Sequence, residues 1–494
     1  MLRARIAFLV LALACGGEPG TGPGPTPGPG PGPGPEPEPE PGPECAPATV
    51  LCPGETLATE VNAAPEGTAF QLRAGIYRLQ QISPKAGQSF TGETGAVLVG
   101  ARLLTEWARE GSHWVHAGQV EQGEVRLPEA CQATRPGCAL PEELFIDDQV
   151  LQRVTTVQGV SPGKWYFDYA SDRVYLADDP TGKRVEISVL PWAIFSAAPN
   201  VTVEGLVVEK YASPAQRGVI GFSGPGSGWV VRGSEVRWNH GAGIRIADGM
   251  QVVDNFIHHQ GQIGMVGPGA DVLVQGNEIA FNNTAGFGPG PQSEAGATKF
   301  VFTNRLVVRD NYSHHNHGPG FWTDIDNSDC LYEGNRVEDN DWRGIFHEIS
   351  YACVIRNNVV RNNGHSFPAG TPMFVLEGAG ILVNSSAEVE IYGNVVEGNR
   401  NGIGAIDSDR GIGSRGPYEV ANLWVHDNTI QQRSGLAAGI LGGSPVFLSQ
   451  GNRFTGNTYL LGDTGLRQFR WLHANRTEQE WRSFGNDTAG MFSR

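Results

Sequence analysis

Lysine is almost missing from the second half of this 494-residue chain: between residues 211 and 494 there is one, Lys299. Positive charge is short overall. The 36 Lys and Arg stand against 52 Asp and Glu, a formal charge of −16. That excludes nucleic acid as a partner and removes any general attraction to polyanionic sugars, although a local site can still bind them. Long apolar runs are missing too. Residues 6–14 form a run of nine, too short to span a bilayer, and no later segment is longer and apolar enough. Leucine at several fixed offsets is absent, which excludes a leucine-rich repeat, and so is the period near 40 residues of a propeller.

What is present is asparagine at a fixed place. Short alternating stretches end on Asn255, Asn277, Asn311, Asn335, Asn358, Asn394, Asn428 and Asn452, with ordinary repeats 21 to 24 residues apart. Alternation at period two means strands with one buried face. A unit of this length fits one rung of a solenoid. Each rung has three apolar pieces: the stretch before the Asn, the stretch after it (Asn277-Glu-Ile279), and a third opening with Gly (Gly320-Phe321, Gly344-Ile345, Gly380-Ile381). Three strands per rung predict an all-β, three-sided parallel β-helix of about ten regular rungs. The Asn is expected at the first corner, taking the left-handed backbone itself and bonding its amide to the next rung. A second column is expected at Asn239, Asn282, Asn316, Asn340, Asn363, Asn399 and Asn457.

These Asn-ladder rungs resemble the right-handed parallel β-helix superfamily, the pectin and alginate lyase-like fold. The handedness follows from that resemblance and from the preference for right-handed crossovers. Residues 1–15 read as a secretory signal: a basic start, the apolar run, then Ala12-Leu13-Ala14-Cys15. This resembles a bacterial lipoprotein signal, which implies lipidation at Cys15. Residues 16–44, almost only Gly, Pro and Glu, read as a disordered spacer. We expect an exported protein, anchored at the outer membrane or cell surface by lipid alone or secreted, and monomeric. Residues 45–103 are expected to form an N-terminal cap and first rungs, 104–190 an inserted β subdomain, 191–460 the β-helix and 461–494 a C-terminal cap. Export makes disulfides plausible. Cys45 and Cys52 are close in sequence, as are Cys131 and Cys138. Cys330 and Cys353 hold one position in successive rungs, and rung spacing suits a disulfide; a reduced core pair is the open alternative.

Three rungs are long: 34, 36 and 34 residues separate Asn277, Asn311; Asn358, Asn394; and Asn394, Asn428. Measured from the Gly markers (Gly296 in the first case), two insertions precede the third strand and one follows it. Such loops would wall a groove along the stack, with the third strands as its floor. On that floor Asp324 and Glu348 share a column on adjacent rungs and should face outward, with exposed Trp322 and Phe346 beside them. An aromatic next to paired acids suits a pyranose ring, so the expected partner is a polysaccharide or glycan. Asp326, Asn384 and Asp407 (with Asp409) are further candidates to contact it. The same alignment places Lys299 in the column of Thr323 and His347, which points inward. A strand distortion turning Lys299 and His347 outward is therefore expected if they are to join a catalytic group.

Two chemistries remain open. Hydrolysis needs two carboxylates flanking a glycosidic bond, here Asp324 and Glu348. Lyase chemistry needs a base and a cation near a uronate carboxylate. Glu294-Ala-Gly-Ala-Thr-Lys299 resembles the Glu-(four residues)-Lys segment of the β-helix lyases that include chondroitinase B and alginate lyases. That resemblance implies Ca²⁺ as cofactor, Glu294 as its ligand and Lys299 as base; Thr323 stands near the place of that family's catalytic Arg. The motifs of pectate lyases, polygalacturonases and mannuronan epimerases are absent. A non-catalytic glycan-binding or adhesin-like surface lipoprotein is the alternative to an enzyme.

Overall fold

The computed structural model describes residues 49–221, 227–288, 294–367, 375–462 and 465–493. Cys15, Cys45 and the segment 16–44 lie outside the described residues. Among those described, three long sheets carry the chain: two of 13 strands and one of 11. Neighbouring strands within each are parallel through the stack, as in Val307–Arg309 with Cys330–Glu333 or Ile345–Glu348 with Ala379–Asn384. Each turn of chain visits the three sheets in order. The molecule is a single-stranded, right-handed parallel β-helix.

Two polar ladders run along the corners. In the first, Asn255, Asn277, Asn311, Asn335, Asn358, Asn394, Asn428 and Asn457 each donate from the side-chain amide to the next member's Oδ1 at 2.8–3.0 Å, and Asn457 ends the row on Asp487. Each amide also donates to a backbone carbonyl of a preceding rung, as Asn335 does to Val308 at 2.9 Å. The second ladder runs through Asn239, Gln260, Asn282, Asn316, Asn340, Asn363 and Asn399.

The ladders correct two expectations. The left-handed residue is not the Asn but the one before it: Asp254, Gly276, Asp310, Gly334, Asn357, Gly393, Asp427 and Gly456 have φ of +51° to +68°. A short polar side chain or none eases that conformation, and the Asn is left free to build the ladder. Asn457 also belongs to the first ladder, not the second, and Asn452 to neither run. The stretch before Asn452 enters a short helix, Ser444–Leu448. The last rung is thereby displaced by five residues, the same as the spacing between the two ladders, so the pattern threads equally well one ladder out.

Most of the buried apolar side chains form one continuous core inside the coil, from Leu51 to Trp481. The helix Leu57–Ala63 buries Leu57 and Val61 at one end. At the other, Glu478–Ser483 starts in a capping box made by Thr477 and Glu480 and buries Trp481. Between Ala101 and Ser188 the chain forms mainly antiparallel strands in separate sheets. The stack does not register the excursion: Thr202–Glu204 pairs directly with Ser89–Gly92. Disulfides join Cys131 to Cys138 and Cys330 to Cys353, the latter pair in register with Cα atoms 4.6 Å apart; Cys52 is also disulfide-bonded. Among the described residues no helix is long and apolar enough to cross a membrane.

Candidate functional site

The third sheet alternates between two columns. Inward go Phe300, Thr323, His347, Val383, Ala405 and Ile440, which pair in register. Outward go Trp322, Phe346 and Leu382, which form an apolar cluster separate from the core. Because Phe300 pairs with Thr323, Lys299 stands one place earlier, beside Trp322. It faces outward by plain alternation and needs no distortion. The expectation of an inward Lys299 came from taking Gly296 as the rung marker. The equivalent of Gly320 is Ala297. A Cβ at Gly320 would lie 2.5 Å from Val337 and 3.0 Å from the Asn340 amide, so glycine is favoured in that column, and Ala297 is the exception that hid the register.

Lys299 is 4% exposed and paired twice: its Nζ lies 2.7 Å from Glu294 and 2.8 Å from Asp324. It also sits 4.3 Å from the ring centre of Trp322. Burial pushes the ammonium down, but the charges of Asp324 and Glu294 outweigh it and hold it above its ordinary value. Asp324 and Glu348 are register partners on adjacent strands. Burial, and next the charge of Glu348, raise the Asp324 carboxyl to about 6 in spite of Lys299. Its Oδ1 is buried and has no hydrogen-bond partner among the described residues. Glu348 is held by Arg410 at 2.6 Å and by the Asn384 amide at 3.2 Å.

His347 does not join them. It is fully buried in the inward column, with Nδ1 2.8 Å from the Thr323 hydroxyl and 3.8 Å from Cys330 Sγ. Burial pushes its pKa down to about 3, so it is neutral and walled off from the outer face. The exposed aromatic platform is corrected as well. Trp322 and Phe346 point away from the core, yet Phe346 is 1% and Trp322 7% exposed. Leu376, from the second long connection, packs in their cluster, and Arg343 lies 4.1 Å over Phe346 while pairing with Glu377 at 2.6 Å. Asp326 is taken up by the third long connection, accepting from Ser414 N at 2.9 Å and Tyr418 Oη at 2.8 Å. Asp407 closes the base of that connection, accepting from Val420 N at 2.7 Å; burial raises its pKa.

Ca²⁺ does not fit at Glu294. Both carboxylate oxygens are engaged, one by Lys299 and one by the Gln216 amide, and an ammonium at 2.7 Å repels a second cation. Among the described residues the one cluster of three ligating side chains is Cys330, His347 and Cys353, whose sulfurs are joined in a disulfide. The residues that sequence reasoning missed are Arg410, Leu376 and Glu377. They lie on the long connections, whose lengths were readable but whose conformations carry no repeat to read. A cleft of about 250 Å³ lies elsewhere, bordered by Arg135, Glu143, Arg153 and Thr284. It holds no stacked acid pair, so the side-chain chemistry of the third sheet, not concavity, locates the candidate site.

Residues 218–396 match the family profile described as right handed beta helix region. Among solved structures, XylC in complex with xylose is 14% identical, covers 82% of this chain and 80% of its own, and gives a TM-score of 0.65. The A-module of the Azotobacter vinelandii mannuronan C-5 epimerase AlgE6 is 13% identical over 88% of this chain and 93% of its own, with a TM-score of 0.43. A glycoside hydrolase is 12% identical over 84% and 92%, with a TM-score of 0.38. At these identities the likeness is one of fold. No curated protein matches the sequence.

Proposed function

We propose that this is an exported, lipid-anchored enzyme that hydrolyses a polysaccharide lying along the outer face of the third sheet. The observation that carries the reading is the stacked pair Asp324 and Glu348, one carboxyl raised to about 6 and the other ion-paired to Arg410 at 2.6 Å. The raised Asp324 carboxyl is the one to protonate the leaving glycosidic oxygen, and Glu348, held by Arg410, is the second carboxylate. Register neighbours sit at the rung spacing of about 4.8 Å, which stacks two carboxylates on one face, the pair of groups that glycosidic hydrolysis needs. The raised ammonium of Lys299 is the opposite of what a lyase base needs, so Lys299 serves here as a fixed cation beside Asp324.

The test is a panel of neutral and uronate polysaccharides, with xylans included because the XylC structure holds xylose. New reducing ends that disappear in Glu348→Gln support hydrolysis. Unsaturated uronate absorbance would replace it with elimination. Retention without any product would leave the non-catalytic glycan-binding reading, which the anchor and solenoid serve equally well.

A further inference from the structure

The corner that carries the second ladder also carries two pairs of adjacent histidines, His258-His259 and His314-His315. His258 ends the strand Phe256–His258 and His314 the strand Tyr312–His314. The two share one column, with Ala280 in register between them. The second residue of each pair is left-handed, with φ of +53° at His259 and +52° at His315. That turn folds the second ring back on the first. Nδ1 of His258 lies 2.7 Å from Nδ1 of His259, and Nδ1 of His314 lies 2.9 Å from Nδ1 of His315. The other nitrogen of each inner ring is engaged: His258 Nε2 is 3.0 Å from Glu235, and His314 Nε2 is 3.1 Å from Glu278. The outer rings are held by stacking. Phe281 takes the same corner place on the rung between, its ring 5.0 Å from that of His259 and 5.2 Å from that of His315.

A carboxylate only accepts, so each inner Nε2 carries the proton, and in a neutral ring Nδ1 then offers a lone pair. Two N–H groups cannot face each other at 2.7 Å, so at most one proton lies between the rings of a pair. Burial, and next the charge of His258, push the His259 pKa down to about 4, so that ring is neutral at neutral pH. A carboxylate behind a histidine is how proteins orient an imidazole toward a metal. The spacing selects the ion. Two nitrogens each ~2.0–2.1 Å from an ion stand ~2.9 Å apart at a right angle and ~3.3 Å apart at the tetrahedral angle. The separations of 2.7 and 2.9 Å suit the right angle of a tetragonal ion. We propose that each pair chelates one Cu²⁺ or Ni²⁺ ion through its two Nδ1 atoms. The rings tilt so that both lone pairs meet on the ion, the shared proton leaves to water, and water fills the remaining positions. His259 is half-buried and His315 exposed, so a dissolved ion reaches both pairs. The two ions would stand two strand spacings, about 9.6 Å, apart. Neither pair contains a residue of the acid site, so metal binding stands independently of hydrolysis.

The test is isothermal titration calorimetry of the full chain with Cu²⁺, Ni²⁺ or Zn²⁺, on the wild type, His259→Asn, His315→Asn and the double variant. Asn keeps a polar atom near the place of Nδ1 and tolerates the left-handed corner. The expected result is two equivalents of Cu²⁺ in the wild type, one in each single variant and none in the double. Ni²⁺ should follow the same counts, and Zn²⁺ should bind at least about tenfold more weakly. Electron paramagnetic resonance of the bound Cu²⁺ should show coupling to imidazole nitrogen. The metal-free unfolding midpoint should be the same in all four proteins, and added Cu²⁺ should raise it in the wild type and not in the double variant. Unchanged Cu²⁺ uptake in the double variant would overturn the assignment, as would no uptake by the wild type at micromolar Cu²⁺. Tighter binding of Zn²⁺ than of Cu²⁺ would overturn the tetragonal geometry. A lowered metal-free midpoint with unchanged uptake would make the pairs purely structural.

Discussion

Two regions of this molecule bury polar side chains in regular columns, and they are built on opposite terms. Along the first corner, the amide of Asn335 donates to Asn358 and to the Val308 carbonyl, and its oxygen accepts from the amide of Asn311, each at 2.9–3.0 Å. Every amide in the row has a partner, and the one carboxylate, Asp487, only closes its end. On the outer face of the third sheet, Lys299, Asp324 and Glu348 are charged and crowded, and Asp324 Oδ1 and Trp322 Nε1 are buried without a hydrogen bond among the described residues. Buried polar groups in a native protein are nearly all satisfied. Completeness along the ladder therefore marks structure, and on the hydrolase reading proposed above the open groups of the face are where a substrate would finish the hydrogen bonding.

That contrast can be broken from either side. The largest effect is expected from the face. Asp324→Asn or Glu348→Gln should lower the hydrolysis rate by about 10³-fold, ~4 kcal/mol in the barrier, while moving the urea midpoint less than any mid-ladder change. A rate that survives both would make the acid pair structural. Next comes the ladder. Asn335→Ala leaves the backbone N–H and side-chain amide of Asn311 without their acceptor, and should cost about 3 kcal/mol of stability; an unaltered midpoint in urea unfolding would mean that water replaces the ladder easily. The smallest effect concerns pH. The acid form of Asp324 is needed for protonation, so activity should fall as pH rises through about 6, roughly tenfold per unit beyond it. The sign for stability is the same: a carboxyl raised in the folded state favours folding below its unfolded pKa, and that contribution is lost as pH rises through about 6. A rate profile flat from pH 5 to about 8 would detach Asp324 from the acid role.

Much of the fold was legible because a solenoid repeats its constraints. Asn at one corner names the rung, and equal spacing put Cys330 over Cys353 and Asp324 over Glu348, as the register bears out. The errors came where one rung departs from the rest by a single residue or a single ladder step. Ala297 in a glycine column turned Lys299 inward on paper, and the helix Ser444–Leu448 slid Asn457 across ladders. Period-two alternation has no tolerance for such slips, since one residue reverses the face. The burial of Phe346 and the pairing of Glu348 with Arg410 were not legible for a different reason. They are made by connections that the core pattern cannot constrain, because loops fold against whatever surface they meet.

The disulfide between Cys330 and Cys353 acquires a further meaning from its position. Cys330 begins the strand that follows Asp324, and Cys353 lies in the strand that follows Glu348. A stack of rungs opens from its ends like a zip, each rung holding only its neighbours. The covalent link is a stop in that zip, set between the two turns of chain that carry the paired acids. Pulled from either terminus, the molecule would surrender its caps and outer rungs first, and the loop between the two cysteines, 23 positions apart in sequence, would remain closed to any force along the backbone while the bond lasts. Glu348 thus rides inside that closed loop, while Asp324 lies just outside it, on the strand that leads into Cys330.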